Sequence, residues 1–344
     1  TDVYVSLGQV KKYNLRKGDA VIGAIRQPRE GEHQGRQKYN ALVSVDTVNG
    51  QSVEEAAARS EFQNLQAVYP TEQLRMETTA DAAGTRMVDL FAPVAKGQRA
   101  VIAGAPKTGK SELIHGMAHA VAQNAPDAHL MVVLIDEQPE TISEVQRGAK
   151  GEVIASSFDR SVDDHTTIAE LAIERAKRLV ELGHDVVVLV DSLTRLARAY
   201  QLSIGGGSRS GSADTAWVYP TKKLFGAARN VEGGGSLTMV ATVVTDTGIA
   251  MDDVVASEVS GAATMELALN GDAAAARVFP AFDIARSGTR KEELILGSDQ
   301  SAAVAALRQK VVGAPAVEGL QNLVSKLAGT STNVEALVAL PKSL

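Results

Sequence analysis

Gly104-Ala105-Pro106-Lys107-Thr108-Gly109-Lys110-Ser111 fills the pattern GxxxxGK[ST] at every defined position. The apolar run Ala100-Val101-Ile102-Ala103 precedes it, and a helix-forming segment follows. Strand, glycine loop and helix, in that order, is the setting this pattern requires. The glycines let backbone N–H groups turn toward a phosphate, and a helix N-terminus adds its positive dipole. In such a loop Lys110 reaches the β- and γ-phosphates, and the Ser111 hydroxyl ligates Mg²⁺.

Outward from the loop the chain alternates apolar runs with amphipathic segments. Leu130–Ile135, Val153–Ala155, Val186–Val190 and Leu237–Thr242 are short and continuously apolar. Such runs are expected of strands buried on both faces of a parallel sheet. Ile168, Leu171, Ala172, Arg175, Leu179 and Leu182 recur at helical spacing, which predicts a helix over about 166–182. The alternation gives an α/β fold with helices on both faces of the sheet. Two of these runs end in acids. Asp191 closes the run from Val186 and fits the position that holds the Mg²⁺ shell. Asp136-Glu137 follows Leu134-Ile135, at the carboxyl edge where open α/β sheets bind ligands. A carboxylate there, Glu137, can orient or deprotonate a water.

Composition narrows the function classes. The chain has 344 residues, no cysteine, a net charge of −6 and no long apolar run. A disulfide scaffold, a thiolate metal site and a cysteine nucleophile are excluded, and no membrane span is expected. The acidic total argues against a nucleic-acid partner, but the charge is unevenly spread. Residues 1–48 hold eight Lys/Arg against five acids, about +3. This segment reads as β: Val3-Tyr4-Val5, Ala20–Ile25 and Ala41–Val45 are strand candidates, with turns at Arg16–Asp19 and Gln27–Glu32. Three short strands cannot close a barrel. The first strands of that domain are expected upstream of Thr1. Residues 49–86 carry no strong period and read as a connector, so the expected division is 1–48, 49–86 and 87–344. Gly205–Ser212 reads as a glycine-serine loop.

Longer strings carry a resemblance. Leu134-Ile135-Asp136-Glu137-Gln138-Pro139-Glu140, Val190-Asp191-Ser192-Leu193-Thr194-Arg195-Leu196-Ala197-Arg198-Ala199-Tyr200, Phe225–Asn230 and Arg286-Ser287-Gly288-Thr289-Arg290-Lys291 resemble the Rho transcription termination factor family. The resemblance runs from about residue 2 to the C-terminus. It implies a RecA-like P-loop ATPase core behind a partial OB-like RNA-binding domain. It also implies ATP hydrolysis with Mg²⁺, single-stranded RNA as partner, a hexameric homo-oligomer acting on RNA polymerase, and a cytoplasmic location with no membrane. By the resemblance Arg290 is an arginine finger given to a neighbouring subunit. Arg195 links the magnesium-side acid to the ATP site, Phe279 stacks on adenine, Lys107 is a second loop lysine, and Glu112 lies where adenine is covered. Asp2, Tyr4, Glu32 and Tyr39 fall near the RNA cleft, and Arg209 lies in a pore loop.

The chain departs from the family at several positions. Val259-Ser260-Gly261-Ala262-Ala263-Thr264 replaces a string with a lysine where Ser260 stands. Gln138 replaces an arginine, and Ile249-Ala250 lacks a basic residue that some members carry. Each change removes a cation that a motor on RNA uses. Two readings therefore stay open: an RNA-dependent ATPase that translocates, and a relative that binds nucleotide and RNA without translocating. An ATP synthase-type subunit is a third, disfavoured by the order of the strings above.

Overall fold

The structure is a computed structural model and describes residues 2–27, 39–203 and 216–343. Glu32, Arg209 and the loop Gly205–Ser212 lie outside the described residues, as does most of the turn at 27–32.

The β segment comprises β1 (Val3–Tyr4), α1 (Leu7–Lys12), β2 (Val21–Ile22), β3 (Ile25–Arg26), β4 (Asn40–Leu42), β5 (Thr47–Val48), β6 (Gln51–Ser52) and α2 (Val53–Ala58). It holds two small sheets, β1-β4-β3 and β2-β5-β6. The run Ala20–Ile25 is thus two strands in two sheets. The corner is at Gly23, where a Cβ would stand 2.0 Å from the Ser44 carbonyl oxygen, an approach only glycine permits. The boundary expected at 48 falls inside the β5–β6 hairpin. Val45 and Val48 pack with Ala56 of α2, so the unit extends through Ala58. Ser52 caps α2 reciprocally with Glu55, a local signal that periodicity alone passes over.

The core begins earlier than residue 87. β7 (Ala67–Val68) joins the main sheet, Leu74 and Met76 are buried in its core, and α3 (Ala83–Phe91) is buried from Thr85 onward. The sheet is built from β8 (Arg99–Gly104), β9 (His129–Glu137), β10 (Glu152–Ser157), β11 (Asp185–Asp191), β12 (Arg229–Val231), β13 (Ser236–Val244), β14 (Met265–Leu269) and β15 (Phe282–Thr289). Its order is β10-β9-β11-β13-β8-β14-β15. It is parallel from β10 to β14, antiparallel at β15, and carries β12 on β13.

Pleat alternation explains the continuous apolar runs. Ala100, Ile102, Val132, Leu134, Val187 and Leu189 face one layer, with α3, α4 (Lys110–Asn124), α5 (Pro139–Gly148) and the C-terminal helices. Val101, Ala103, Met131, Val133, Ile135, Val186, Val188 and Val190 face the other. That layer holds α6 (Val162–Glu181), α7 (Leu193–Ser203), α8 (Tyr219–Phe225) and α9 (Ala250–Ala262). Neither face meets water, so neither face is polar. α6 starts four residues before the expected 166 because Ser161 and Asp164 form a capping box. The chain continues through α10 (Gly271–Ala275) and ends in α11 (Glu293–Val312, kinked at Gly297), α12 (Ala316–Leu327) and α13 (Asn333–Ser343). Among the described residues no helix is long and apolar enough to cross a membrane.

Candidate active site

The phosphate loop runs from the end of β8 into α4. Lys107 and Gly109 adopt φ of 66° and 92°, so successive N–H groups turn into one concavity. Thr108 is buried and donates its hydroxyl to the Ala105 carbonyl at 2.8 Å. Lys110 donates from Nζ to the carbonyls of Gly104 (2.8 Å) and Ala105 (2.6 Å). Burial pushes this ammonium down to about 8, with Asp191 opposing the shift and Arg195 adding to it. A cation held by carbonyls alone in a partly dry loop is short of negative charge, which is what a phosphate supplies.

Opposite the loop, Asp191 at the end of β11 is nearly buried, with 4% exposed. Ser111 donates to its Oδ2 at 2.6 Å, and Thr242 of β13 donates to its Oδ1 at 2.7 Å. Ser111 and Asp191 form a pair of hard oxygen donors at one point, the donor chemistry Mg²⁺ takes. Arg195, in the first turn of α7, bridges the two acids. Its Nη2 donates to Glu137 Oε2 at 2.5 Å and to the Asp191 carbonyl at 3.1 Å, and lies 3.4 Å from Asp191 Oδ1. The structure therefore brings Lys110, Ser111, Asp191, Arg195 and Glu137 together at the carboxyl edge of β8, β9 and β11. Pro106 and Lys107 are exposed on the loop.

Beside the loop lies a cleft of about 500 Å³ whose lining includes Gly84, Thr108, Gly109, Glu112, Phe279 and Pro280. Phe279 is 43% exposed, and its ring lies 3.8 Å from where a Cβ on Gly109 would stand. An aromatic face left open beside a phosphate loop is a stacking surface for a base. Glu112 puts a carboxylate on the same wall.

Arg290 is not at this site. It follows β15, and its N–H donates to the Thr264 carbonyl at 2.8 Å. Thr264 in turn pairs with Arg99, the first residue of β8. The loop with Lys110 leaves the other end of that six-residue strand. Five steps along β8 separate the two ends by roughly 17 Å.

Two residues of the site area, Thr242 and Arg99, carry no signal in the sequence alone. Thr242 fixes Asp191, but a threonine ending an apolar run carries no local signal. Arg99 donates from Nε to the Ala262 carbonyl (2.7 Å) and from Nη1 to the Ala228 carbonyl (3.0 Å). Burial lowers the pKa of Arg99, and the charges of Arg229 and Arg290 add to that shift. The partners of Arg99 are more than a hundred residues away in sequence, so spacing could not reveal them. Ser260, in α9, is half-buried.

In the β segment, Tyr4 and Tyr39 are 60% and 48% exposed. Val3 pairs with Asn40 and Tyr4 with Ala41. Asp2 and Tyr39 immediately precede these two paired strands. Exposed aromatic faces on a small sheet are the stacking platforms of single-strand binders.

Two family models match this chain. Residues 84–289 match the ATP synthase alpha/beta family, nucleotide-binding domain, and residues 1–54 match the Rho termination factor, RNA-binding domain. The chain is 52% identical to transcription termination factor Rho of Streptomyces lividans, over 99% of this chain and 48% of that protein. It is 50% identical to that of Mycobacterium tuberculosis (strain ATCC 25618 / H37Rv), over 99% and 57%. It is 44% identical to that of Pseudomonas fluorescens biotype C, over 99% and 81%. The chain thus spans about half the length of the first of these relatives. Two solved ATPases of type III secretion systems share the fold. One is a prototypical ATPase from pathogenic bacteria (TM-score 0.66, 19% identity, 81% of this chain and 86% of that one). The other is the assembled EscN of enteropathogenic E. coli (TM-score 0.66, 20% identity, 83% and 74%). With a nucleotide-binding core of RecA-like architecture behind a Rho-type RNA-binding segment, and relatives this similar over nearly its whole length, the chain belongs to the Rho transcription termination factor family.

Proposed function

We propose that this chain is the working part of an RNA-stimulated ATPase that terminates transcription, assembled as a homo-oligomeric ring, a hexamer in the family's manner. Lys110 and the loop amides hold the phosphates of ATP. Ser111 and Asp191 hold Mg²⁺, which when bound neutralises charge on the phosphates. Phe279 stacks on the adenine. Glu137 orients the attacking water, and Arg195 holds that carboxylate against the magnesium-side acid. Arg290 serves the site of the adjacent copy. Single-stranded RNA is taken up on the face carrying Asp2, Tyr4 and Tyr39, and the complex acts in the cytoplasm on RNA polymerase and its nascent transcript.

The observation that carries this reading is the position of Arg290. Among the described residues the phosphate loop, Asp191 and Glu137 are gathered with Arg195, whereas Arg290, the arginine that fits the finger role, stands at the opposite end of β8. A site built this way is completed only by a second copy. The reading is tested by steady-state ATP hydrolysis of the full-length protein with and without polypyrimidine RNA. Turnover is expected to rise several-fold with RNA. Turnover indifferent to RNA would overturn it. Ser260→Lys restores a cation in the last turn of α9. A large gain in RNA-stimulated turnover from this variant would favour the non-translocating alternative.

A further inference from the structure

β9 and β10 pair residue for residue from Met131 opposite Glu152 to Ile135 opposite Ser156; then Ser157 stands opposite Glu137. Asp136 is therefore the extra residue of a bulge, and its φ is +54°. A bulge bends its strand and re-aims the next side chain. Here the next side chain is Glu137.

One imidazole touches both sides of this break. His165, in the first turn of α6, is 5% exposed. Its Nδ1 lies 2.7 Å from the hydroxyl of Ser156, the last residue in regular register. Its Nε2 lies 3.9 Å from Oδ1 of Asp136, the bulged residue. The hydrogen bond to Ser156 fixes the ring, and the ring's other nitrogen faces the Asp136 carboxylate across 3.9 Å. Ser156 is 2% exposed, so its hydroxyl has no approach for a substrate and is not a nucleophile. Beyond the break, the Phe158 N–H donates to the Glu137 carbonyl at 3.0 Å, and Arg195 grips the Glu137 carboxylate.

We propose that Asp136 and His165, steadied by Ser156, are positioning residues for Glu137: they hold the bulge that aims the water-orienting carboxylate at the phosphate loop. Both act on the reaction through the placement of Glu137. The proposal rests on the role of Glu137 given above. Asp136 supplies both a backbone able to sit at positive φ, which asparagine and glycine share, and a carboxylate 3.9 Å from the His165 ring, which glycine lacks.

The test compares His165→Ala, His165→Gln, Asp136→Ala and Asp136→Asn in the full-length protein. Affinity for a fluorescent ATP analogue and the rate of a single hydrolytic turnover are both measured. His165→Ala and Asp136→Ala are expected to lower the turnover rate about 10- to 100-fold while nucleotide affinity changes little. His165→Gln and Asp136→Asn, which retain a hydrogen-bonding group or the positive φ, are expected to recover several-fold of that loss. Equal losses of affinity and rate would mark a merely structural role and overturn the proposal, as would a wild-type rate in His165→Ala. A crystal structure of His165→Ala gives a reading independent of hydrolysis. Displacement of Glu137 from Arg195 is expected, and an unmoved Glu137 would overturn the proposal. A wild-type protein that hydrolyses no ATP would count against the proposed function alone, and the Glu137 position would still decide this one.

Discussion

At the residue scale the most informative group is Lys110. Its free-state pKa of about 8 lies well below that of an ordinary lysine because burial disfavours the charged form. A bound triphosphate favours the charged form and raises that pKa again, so binding takes up a proton wherever the free lysine is neutral. Affinity is therefore full below pH 8 and falls as pH rises through it. Nucleotide is expected to bind about tenfold more weakly at pH 9 than at pH 7. Titration calorimetry in buffers of different ionisation enthalpy should show proton uptake at pH 9 and little at pH 7. A flat affinity across this range would place the lysine elsewhere than on the phosphates. The same depression costs the folded state stability below pH 8, and the cost is relieved as pH rises toward the unfolded-state value.

At the scale of elements, the junction between the β segment and α6 is built around one carboxylate. The Glu181 side chain is fully buried. It accepts two hydrogen bonds from Arg16 (3.0 and 2.6 Å) and one from the Phe62 N–H (2.8 Å), and it pairs with Arg178 at 3.1 Å and Arg59 at 3.7 Å. Arg59 also reaches Asp19 at 2.6 Å. Gly18 sits so close to α6 that a Cβ would lie 2.4 Å from the Glu174 carbonyl carbon, and its φ is +85°. Glu181→Ala leaves buried arginines without their partner and is expected to cost about 3 kcal/mol. Hydrogen exchange should show the loss in residues 2–58 first, with β8 and β11 still protected. Gly18→Ala should have a similar effect by pushing the backbones apart. Protection unchanged in both variants would mean that the β segment is held by other contacts. Five charged residues of this junction stand in the sequence as scattered charges, but nothing local says that Arg16 and Glu181, 165 positions apart, meet.

At the scale of the whole molecule, the separation of Lys110 and Arg290 along β8 makes a mixing experiment decisive. Lys110→Ala and Arg290→Ala are each expected to reduce turnover at least about 1,000-fold. Co-assembled, a Lys110→Ala subunit still lends its arginine to a neighbour whose phosphate loop is intact. Mixed assemblies should recover measurable turnover that neither variant shows alone. No recovery on mixing, with assembly confirmed by mass, would mean that the finger is not supplied between copies. The net charge of −6 belongs to this scale too, and it is a poor guide to partners, because the first 48 residues run about +3.

The sequence by itself determined the phosphate loop, the continuous apolar strands and the acids at two of their ends. These are local properties: glycine spacing, period and the residue after a run depend on neighbours a few positions away. The layered α/β arrangement followed from the same signals, and the RecA-like core was implied by the resemblance that the longer strings carry. Only the tertiary structure decided the rest. It broke Ala20–Ile25 into two strands at Gly23, carried the β unit through α2, and started the core before residue 87. It also placed Thr242 on Asp191, Arg195 between Asp191 and Glu137, and His165 across the bulge at Asp136. Above all it set Arg290 at the far end of β8 from Lys110. Each of these depends on sheet order and register, which are fixed by long crossover connections and by packing between residues distant in the chain, and neither leaves a period in the sequence for a reader to find.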